Sequence, residues 1–255
     1  ITGIGNCVIT AAQAEGTSGG TTYGPATSVE QTLVITAKPL TITATTSSSS
    51  KTYGAANPTF GKTYSGLVYS DSITATTLTF TSSSPSYNSS SAPTAVGVYT
   101  ITPSSPTFSP SGAGSNYTIS YETTTYTINK ADQTITFTQP TTPVNYGASP
   151  INLGATASSS LSVSYSVSGP CSLSGSTVTF TGIGSCVITA TQSGNSNYNA
   201  ANSVSRTVVI DPKALTITAS SHTVANGAAA PTITPSYSGF VGSETQTVLS
   251  GSITC

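Results

Sequence analysis

The chain has 255 residues, 36% of them hydrophobic and 5% charged, with a formal net charge of −1. Ordinary globular domains carry about 25% charged residues, so the hydroxyls of Ser and Thr must provide the solubility here. That balance excludes a basic surface for phosphate neutralisation, and hence nucleic acid as a partner. No apolar run approaches the ~18 residues of a membrane span, so no membrane insertion of this segment is expected.

Taken in order, Ile1 to Ala37 reads as the end of a domain. Cys7-Val8-Ile9-Thr10 is an expected strand, Gly16 to Gly24 a Gly/Thr/Ser loop, and Gln31 to Thr36 a closing strand. The chain opens in mid-domain on this reading, so no signal peptide is expected at Ile1. Lys38-Pro39-Leu40-Thr41-Ile42-Thr43-Ala44 alternates apolar and hydroxyl residues and begins a second type of domain, running to Asn129. Further strands are expected near Ser72–Phe80, Gly97–Thr102, Asn116–Tyr121 and Thr124–Ile128. The Ser-rich stretches Thr45–Ser50 and Thr81–Ala92 read as long solvated loops.

Lys130 to Asp211 holds six expected strands: Gln133–Thr138, Ile151–Ala155, Leu161–Val167, Ser176–Thr181, Cys186–Gln192 and Val204–Ile210. Short strands at regular spacing, with turn signals between them, indicate an all-β sandwich. No stretch carries helical periodicity. Cys171 and Cys186 stand at hairpin-like spacing and read as two neighbouring strands joined by a disulfide. Buried free thiols are the lesser reading. Zinc is weaker still, since its ligands come as CxxC pairs or with several His, and this chain has one His.

The chain repeats itself. Thr2-Gly3-Ile4-Gly5-Asn6-Cys7-Val8-Ile9-Thr10-Ala11 matches Thr181-Gly182-Ile183-Gly184-Ser185-Cys186-Val187-Ile188-Thr189-Ala190. Tyr23, Ala26 and Leu33 match Tyr198, Ala201 and Val208. Lys38 to Ala44 matches Lys213 to Ala219, and Tyr64-Ser65-Gly66-Leu67-Val68 matches Tyr237-Ser238-Gly239-Phe240-Val241. Two domain types therefore alternate, with expected boundaries at 1–37, 38–129, 130–211 and 212–255 and incomplete domains at both ends. The junctions at Asn129-Lys130 and Asp211-Pro212-Lys213 leave almost no linker, and Pro39 and Pro212 restrict the backbone there. A semi-rigid linear array of sandwiches is the expected architecture.

Leu40-Thr41-Ile42-Thr43-Ala44, Tyr53-Gly54 with Asn57-Pro58, Tyr64-Ser65-Gly66, Val96-Gly97-Val98-Tyr99-Thr100-Ile101 and Asn116-Tyr117-Thr118-Ile119 resemble the MBG domains of bacterial surface proteins. Cys171, Gly184 to Ala190 and Tyr198-Asn199-Ala200-Ala201 are similar to bacterial Ig-like repeats. The second MBG-like copy departs from the pattern, with Ala225-Asn226-Gly227 where the first has Thr52-Tyr53-Gly54. The resemblance implies an extracellular or cell-surface setting in a large, adhesin-like protein. It supplies no catalytic residues.

The candidate chemistry is sparse. His222 sits in an expected loop with no carboxylate beside it in sequence, so it reads as a solvated side chain and not as a general base. Glu15, Glu30, Asp71, Glu122, Asp132, Asp211 and Glu244 are scattered singly, unlike a calcium loop. Asp132 and Asp211 fall at junctions. Tyr53, Tyr64, Tyr87, Tyr99, Tyr117, Tyr121, Tyr146, Tyr165 and Tyr198 could include a sugar-stacking platform. Packing at sandwich edges, with the hydroxyl turned to backbone or solvent, is the favoured reading. Asn88 and Asn116 head formal glycosylation sequons. Lys38, Lys51, Lys62, Lys130 and Lys213 invite a search for Lys–Asn isopeptide links, which need an adjacent buried acid.

No enzyme, catalytic residue, metal or cofactor is therefore expected. The leading expectation is a non-catalytic shaft of an extracellular bacterial adhesin or surface fibre, whose partners are neighbouring repeats of the same protein. The alternative is a subunit of a self-assembling filament or sheath, with identical chains as partners. Cys7 aligns with Cys186 but has no intrachain counterpart of Cys171, and Cys255 aligns with Ser82. Both are expected to be unpaired in this chain and not bonded to each other. Their partners are expected in segments outside it or in a neighbouring chain.

Overall fold

The computed structural model describes residues 3–250, which form strands, turns and two short 3-10 segments and no α-helix. Two compact units divide the chain after Ala131.

In the first unit, β1 (Gly5–Ala11), β2 (Gly16–Ser18), β3 (Thr21–Tyr23) and β4 (Val29–Ile35) precede the main body. β1 pairs antiparallel with β4, and β2 with β3. Gly19 and Gly20 turn between β2 and β3 with φ of 59° and 81°, the left-handed pair that a two-residue hairpin demands. The expected loop at Gly16–Gly24 is thus a small hairpin.

The body of this unit holds β5 (Lys38–Thr46), β6 (Ser50–Thr52), β7 (Phe60–Ser65), β8 (Ser72–Ser83), β9 (Ser86–Ser89), β10 (Gly97–Ser109), β11 (Tyr117–Glu122) and β12 (Thr124–Asn129). One sheet runs β6-β12-β10-β8-β9 and the other β11-β5-β7. β11 lies parallel to β5, and β12 to β6. The alternation in β5 explains its place. Leu40 and Ile42 are wholly buried and Ala44 nearly so, while Thr41 and Thr43 turn outward. Their hydroxyls meet Ser120 at 3.1 Å and Glu122 at 2.8 Å on the neighbouring strand. Burying a Leu or Ile side chain stabilises by about 1.5–3 kcal/mol, and each cross-strand polar pair adds a few tenths to 1 kcal/mol.

Two apolar clusters share these long strands. Leu40, Ile42 and Tyr117 centre one, with Ile73 and Phe108 against it. Ala44, Phe80, Tyr99, Ile101, Tyr126 and Ile128 form the other. β5 serves both with a single face, Leu40 and Ile42 in one and Ala44 in the other, whereas β10 changes its facing parity between them. In β10, Tyr99, Ile101 and Pro103 face inward at odd positions, whereas Phe108 faces inward at an even one. The register shifts between Ser104 and Phe108, with Ser105 at φ 48°, supply that change as a β-bulge. β10 consequently extends well beyond the Gly97–Thr102 expected from sequence. Pro103 and Pro106 are accommodated around the bulge, where proline is tolerated within a sheet.

Thr81–Ala92 is also not a loop. β8 continues to Ser83 and returns as β9, where Tyr87 packs edge-on against Tyr99 with ring centroids 5.6 Å apart. That ring anchors a hairpin whose hydroxyl-rich composition hides it. Thr45 and Thr46 likewise belong to β5, and Ser50 to β6.

The second unit contains β13 (Ile135–Thr136), β14 (Val144–Asn145), β15 (Ile151–Asn152), β16 (Thr156–Ala157), β17 (Ser164–Ser168), β18 (Cys171–Ser174), β19 (Thr177–Phe180), β20 (Gly184–Thr191) and β21 (Val204–Asp211). The sheet β14-β21-β20-β17 faces β15-β19-β18, and β13 pairs with β16. Cys186, Ile188 and Ala190 of β20 and Val208 and Ile210 of β21 meet Phe137, Leu153, Val178 and Phe180 in one core. Last come β22 (Thr216–Ala219) and β23 (Pro235–Ser238), an antiparallel pair.

Cys171 and Cys186 form a disulfide with their Cα atoms 5.8 Å apart. The expectation of neighbouring strands is corrected here. β18 pairs with β19, whereas β20 pairs with β17 and β21. The hairpin at Cys171 is closed by Phe180 opposite it, and the chain then crosses to the other sheet before reaching Cys186. The bond therefore joins the two sheets across the core.

Candidate interdomain joint

The single histidine, His222, lies exposed after β22 with its Nε2 3.0 Å from the Ser220 hydroxyl. Among the described residues, no three His, Cys, Asp or Glu side chains gather as a metal site would require. Lys51 donates to the Ala55 carbonyl at 3.0 Å and to the Asn57 side chain at 2.5 Å, and the Tyr126 hydroxyl reaches the same Asn57 at 3.4 Å. This trio closes the Tyr53-Gly54 loop. Asn57 thus accepts hydrogen bonds from both the Lys51 amine and the Tyr126 hydroxyl. In the second copy Val224 and Ala230 replace Lys51 and Asn57 together.

The tyrosine hydroxyls are divided between backbone and side-chain partners. Tyr99 donates to the Ala95 carbonyl and Tyr87 to that of Ser91, while Tyr165 accepts from the Ala155 amide. Tyr99 and Tyr126 are fully buried, and burial pushes both phenols above their ordinary pKa. They form core, not a stacking platform.

The remaining acids are where the structure departs most from a scatter of single charges. Asp71 and Glu244 occupy the same place in the two copies of one turn. The Asp71 amide donates to the Val68 carbonyl at 3.2 Å, and the Glu244 amide to that of Val241 at 3.1 Å. Each turn follows a glycine held against a matching stretch of backbone, at Pro39 in one copy and at Ala214 in the other. A Cβ on Gly66 would stand 2.4 Å from the Pro39 carbonyl oxygen, and one on Gly239 would stand 2.7 Å from that of Ala214. Both glycines have positive φ, 115° and 109°, so the Tyr-Ser-Gly motif is fixed by close backbone approach.

Around each turn the preceding segment contributes matching residues. Ile4, Ile35 and Lys38 line a cavity of about 290 Å³ with Val68, Tyr69, Asp71 and Asn116. Ile183, Lys213 and Tyr146 line another, of about 230 Å³, with Phe240, Val241 and Glu244. The same arrangement is thus built twice, once in each unit.

Its hydrogen bonds differ between the copies. At the first, Tyr117 donates to Asp71 at 2.6 Å and accepts from the Val68 amide at 3.1 Å. Burial, then the bond to Asp71, raises the Tyr117 pKa. At the second, Tyr146 donates to Glu244 at 3.0 Å, and the other Glu244 oxygen accepts from the Val241 amide at 3.3 Å. The bond to Glu244, followed by its charge and then burial, raises the Tyr146 pKa. Val241 also rests on Gly147, whose Cβ would stand 2.6 Å from a Val241 methyl.

Sequence reasoning missed this role for Asp71 and Glu244. The matched blocks Tyr64–Val68 and Tyr237–Val241 stop three residues short of the acids, and extending them brings the two into register. Cys7 is exposed and unbonded; Cys255 lies outside the described residues.

No curated protein matches the sequence. Among solved structures, Drosophila N-cadherin EC1-4 is similar at 11% identity, with 80% of this chain and 58% of that chain covered and a TM-score of 0.25. This chain thus spans little more than half of that protein's length, and at such a score the two are not equated in arrangement. The MBG domain (YGX type) matches residues 40–127 and 215–255, just over half of the sequence and both copies of the acid-bearing turn. The chain belongs to the MBG domain (YGX type) family.

Proposed function

We propose that this chain is a non-catalytic structural repeat module of an extracellular bacterial adhesin or surface fibre, serving as shaft or spacer. The observation that carries this reading is the joint built twice from matching residues, Ile4, Val68 and Asp71 in one copy and Ile183, Val241 and Glu244 in the other. A joint that recurs with every pair of domains has the logic of a modular array, in which each unit contacts its neighbours. The cross-sheet disulfide favours an oxidising, extracytoplasmic compartment, and a surface poor in charge offers little for electrostatic catalysis. The proposed domains are 1–37, 38–129, 130–211 and 212–255, arranged in tandem.

Small-angle scattering on the purified chain tests the shaft reading, which expects a monomeric, elongated particle. Antibody labelling of intact against permeabilised source cells tests the location. A compact particle, or labelling only after permeabilisation, would reject it.

A filament subunit is the second reading. The paired strands β1 and β4 favour it, because Val8, Ile9, Val29 and Val34 are each more than half exposed, and such a face and its open edges can pair with another chain. Concentration-dependent assembly in the same scattering experiment would select it over the shaft.

A further inference from the structure

The two joints show complementary halves of one contact. At the second, Val144 and Asn145 of β14 run parallel along the Ile210–Asp211 end of β21, and the Tyr146 amide donates to the Asp211 carbonyl at 2.8 Å. The chain then turns at Gly147, with φ 85°, placing the Tyr146 hydroxyl on Glu244 and Gly147 against Val241. At the first, β4 corresponds to β21 and Ile35-Thr36 to Ile210-Asp211. Among the described residues β4 pairs only with β1, which leaves its other edge open. The cavity beside that edge is lined by Val68, Asp71 and Tyr69.

Tyr69 adds an independent sign. It is 81% exposed and has φ 56°, the left-handed region, where its counterpart Gly242 has φ 60°. A bulky residue there carries a conformational cost that glycine avoids. The first copy holds an aromatic ring at the rim of the cavity despite that cost.

We propose that the surface formed by the open edge of β4, Val68, Tyr69 and Asp71 is the receiving site for an extended Tyr-Gly segment of an Ig-like repeat, of the kind at Val144–Gly147. The segment adds as a parallel strand beside Ile35-Thr36 and puts its tyrosine hydroxyl on Asp71. Asp71 then accepts two phenols, Tyr117 from its own domain and one from the preceding repeat, so that a single carboxylate ties the two domains together. This inference rests on the tandem-repeat reading.

The test is a chain in which a copy of Lys130–Thr181 precedes Gly3, the junction that the internal alignment dictates. The first readout is a disulfide between the added copy of Cys171 and Cys7, seen by peptide mapping. The second is a double-mutant cycle on unfolding, using Asp71→Asn and Tyr→Phe at the added copy of Tyr146. The expected result is that disulfide together with a coupling of about ten-fold or more in the unfolding constant, as for a hydrogen bond to a charged group. The disulfide without coupling would leave the repeat reading standing and overturn the Asp71 site. Absence of the disulfide would overturn both. Dimerisation of the original chain that is lost with Asp71→Asn would assign the surface to a second copy and overturn the proposed occupant.

Discussion

Tyr117 and Asp71 meet at 2.6 Å across 46 positions of sequence, and the same tyrosine oxygen takes the Val68 amide at 3.1 Å. One phenol thus holds the acid-bearing turn to β11 by both its donor and its acceptor. Removing the hydroxyl leaves a half-buried carboxylate and an amide without that partner, and Tyr117 itself is buried. Tyr117→Phe is expected to destabilise the first unit by about 1–3 kcal/mol, read as a lower urea midpoint at unchanged slope. An unchanged midpoint would mean that water replaces the phenol without loss.

The pKa shifts give a direction in alkali. Tyr99, Tyr117, Tyr126 and Tyr146 are all raised above 10.0. Above that value the unfolded chain releases these protons first, so the folded state binds more of them and stability falls as pH rises. The contribution is complete below pH 10 and is lost as pH passes through the folded values. Denaturant midpoints between neutral pH and pH 11 check this. The Tyr117→Phe variant should show a shallower decline, and an equally steep one would remove Tyr117 from the account.

Gly66 makes a sharper claim. Its φ is 115° and a Cβ would press on the Pro39 carbonyl, which is backbone and cannot swing away. Gly66→Ala is expected to cost about 2 kcal/mol or more. Gly16→Ala is the control, since nothing lies within 4 Å of a Cβ there, and it should leave the midpoint nearly unchanged. Similar effects at both positions would refute the close-approach account.

Most of the strands were legible because alternation of apolar and hydroxyl residues is a local signal. Leu40, Ile42 and Ala44 announce β5, as Val208 and Ile210 announce β21. What escaped has specific causes. β10 passes through Pro103 and Pro106 by means of a bulge whose parity change shows only once Phe108 is seen in the core. The β8–β9 hairpin is hidden by serines, with Tyr87 as the one large apolar side chain of β9. β14 is two residues long and pairs through Val144 and Asn145, too short for any period to show. The cross-sheet route of the disulfide depends on where the chain goes between Phe180 and Gly184, which spacing alone does not state. The joint depends on Tyr117 and Tyr146 reaching acids far away in sequence. Only the internal repeat could have pointed to those acids, by placing Asp71 opposite Glu244.

Cysteine and amine chemistry close the account with one mass-spectrometric experiment. Cys171 and Cys186 are bonded, Cys7 is exposed and free, and the Lys51 amine donates to the Ala55 carbonyl and the Asn57 side chain. The intact protein, unreduced, should weigh less than the sequence by the two hydrogens of one disulfide. Loss of an ammonia as well would reveal an isopeptide between Lys51 and Asn57 and would overturn the hydrogen-bonded reading. Alkylation without denaturant and without reductant should label the Cys7 peptide and spare those of Cys171 and Cys186, because both of their thiols are consumed in the disulfide. Replacing both bonded cysteines by alanine should then destabilise the second unit by about 3 kcal/mol, the chain-entropy value for a loop of this length. The truncation of the buried Cys186 to alanine adds a smaller packing loss. The first unit should unfold at its original midpoint, because no part of its core uses the bond. A matching fall in both units would show that the disulfide supports more than the sandwich in which it sits.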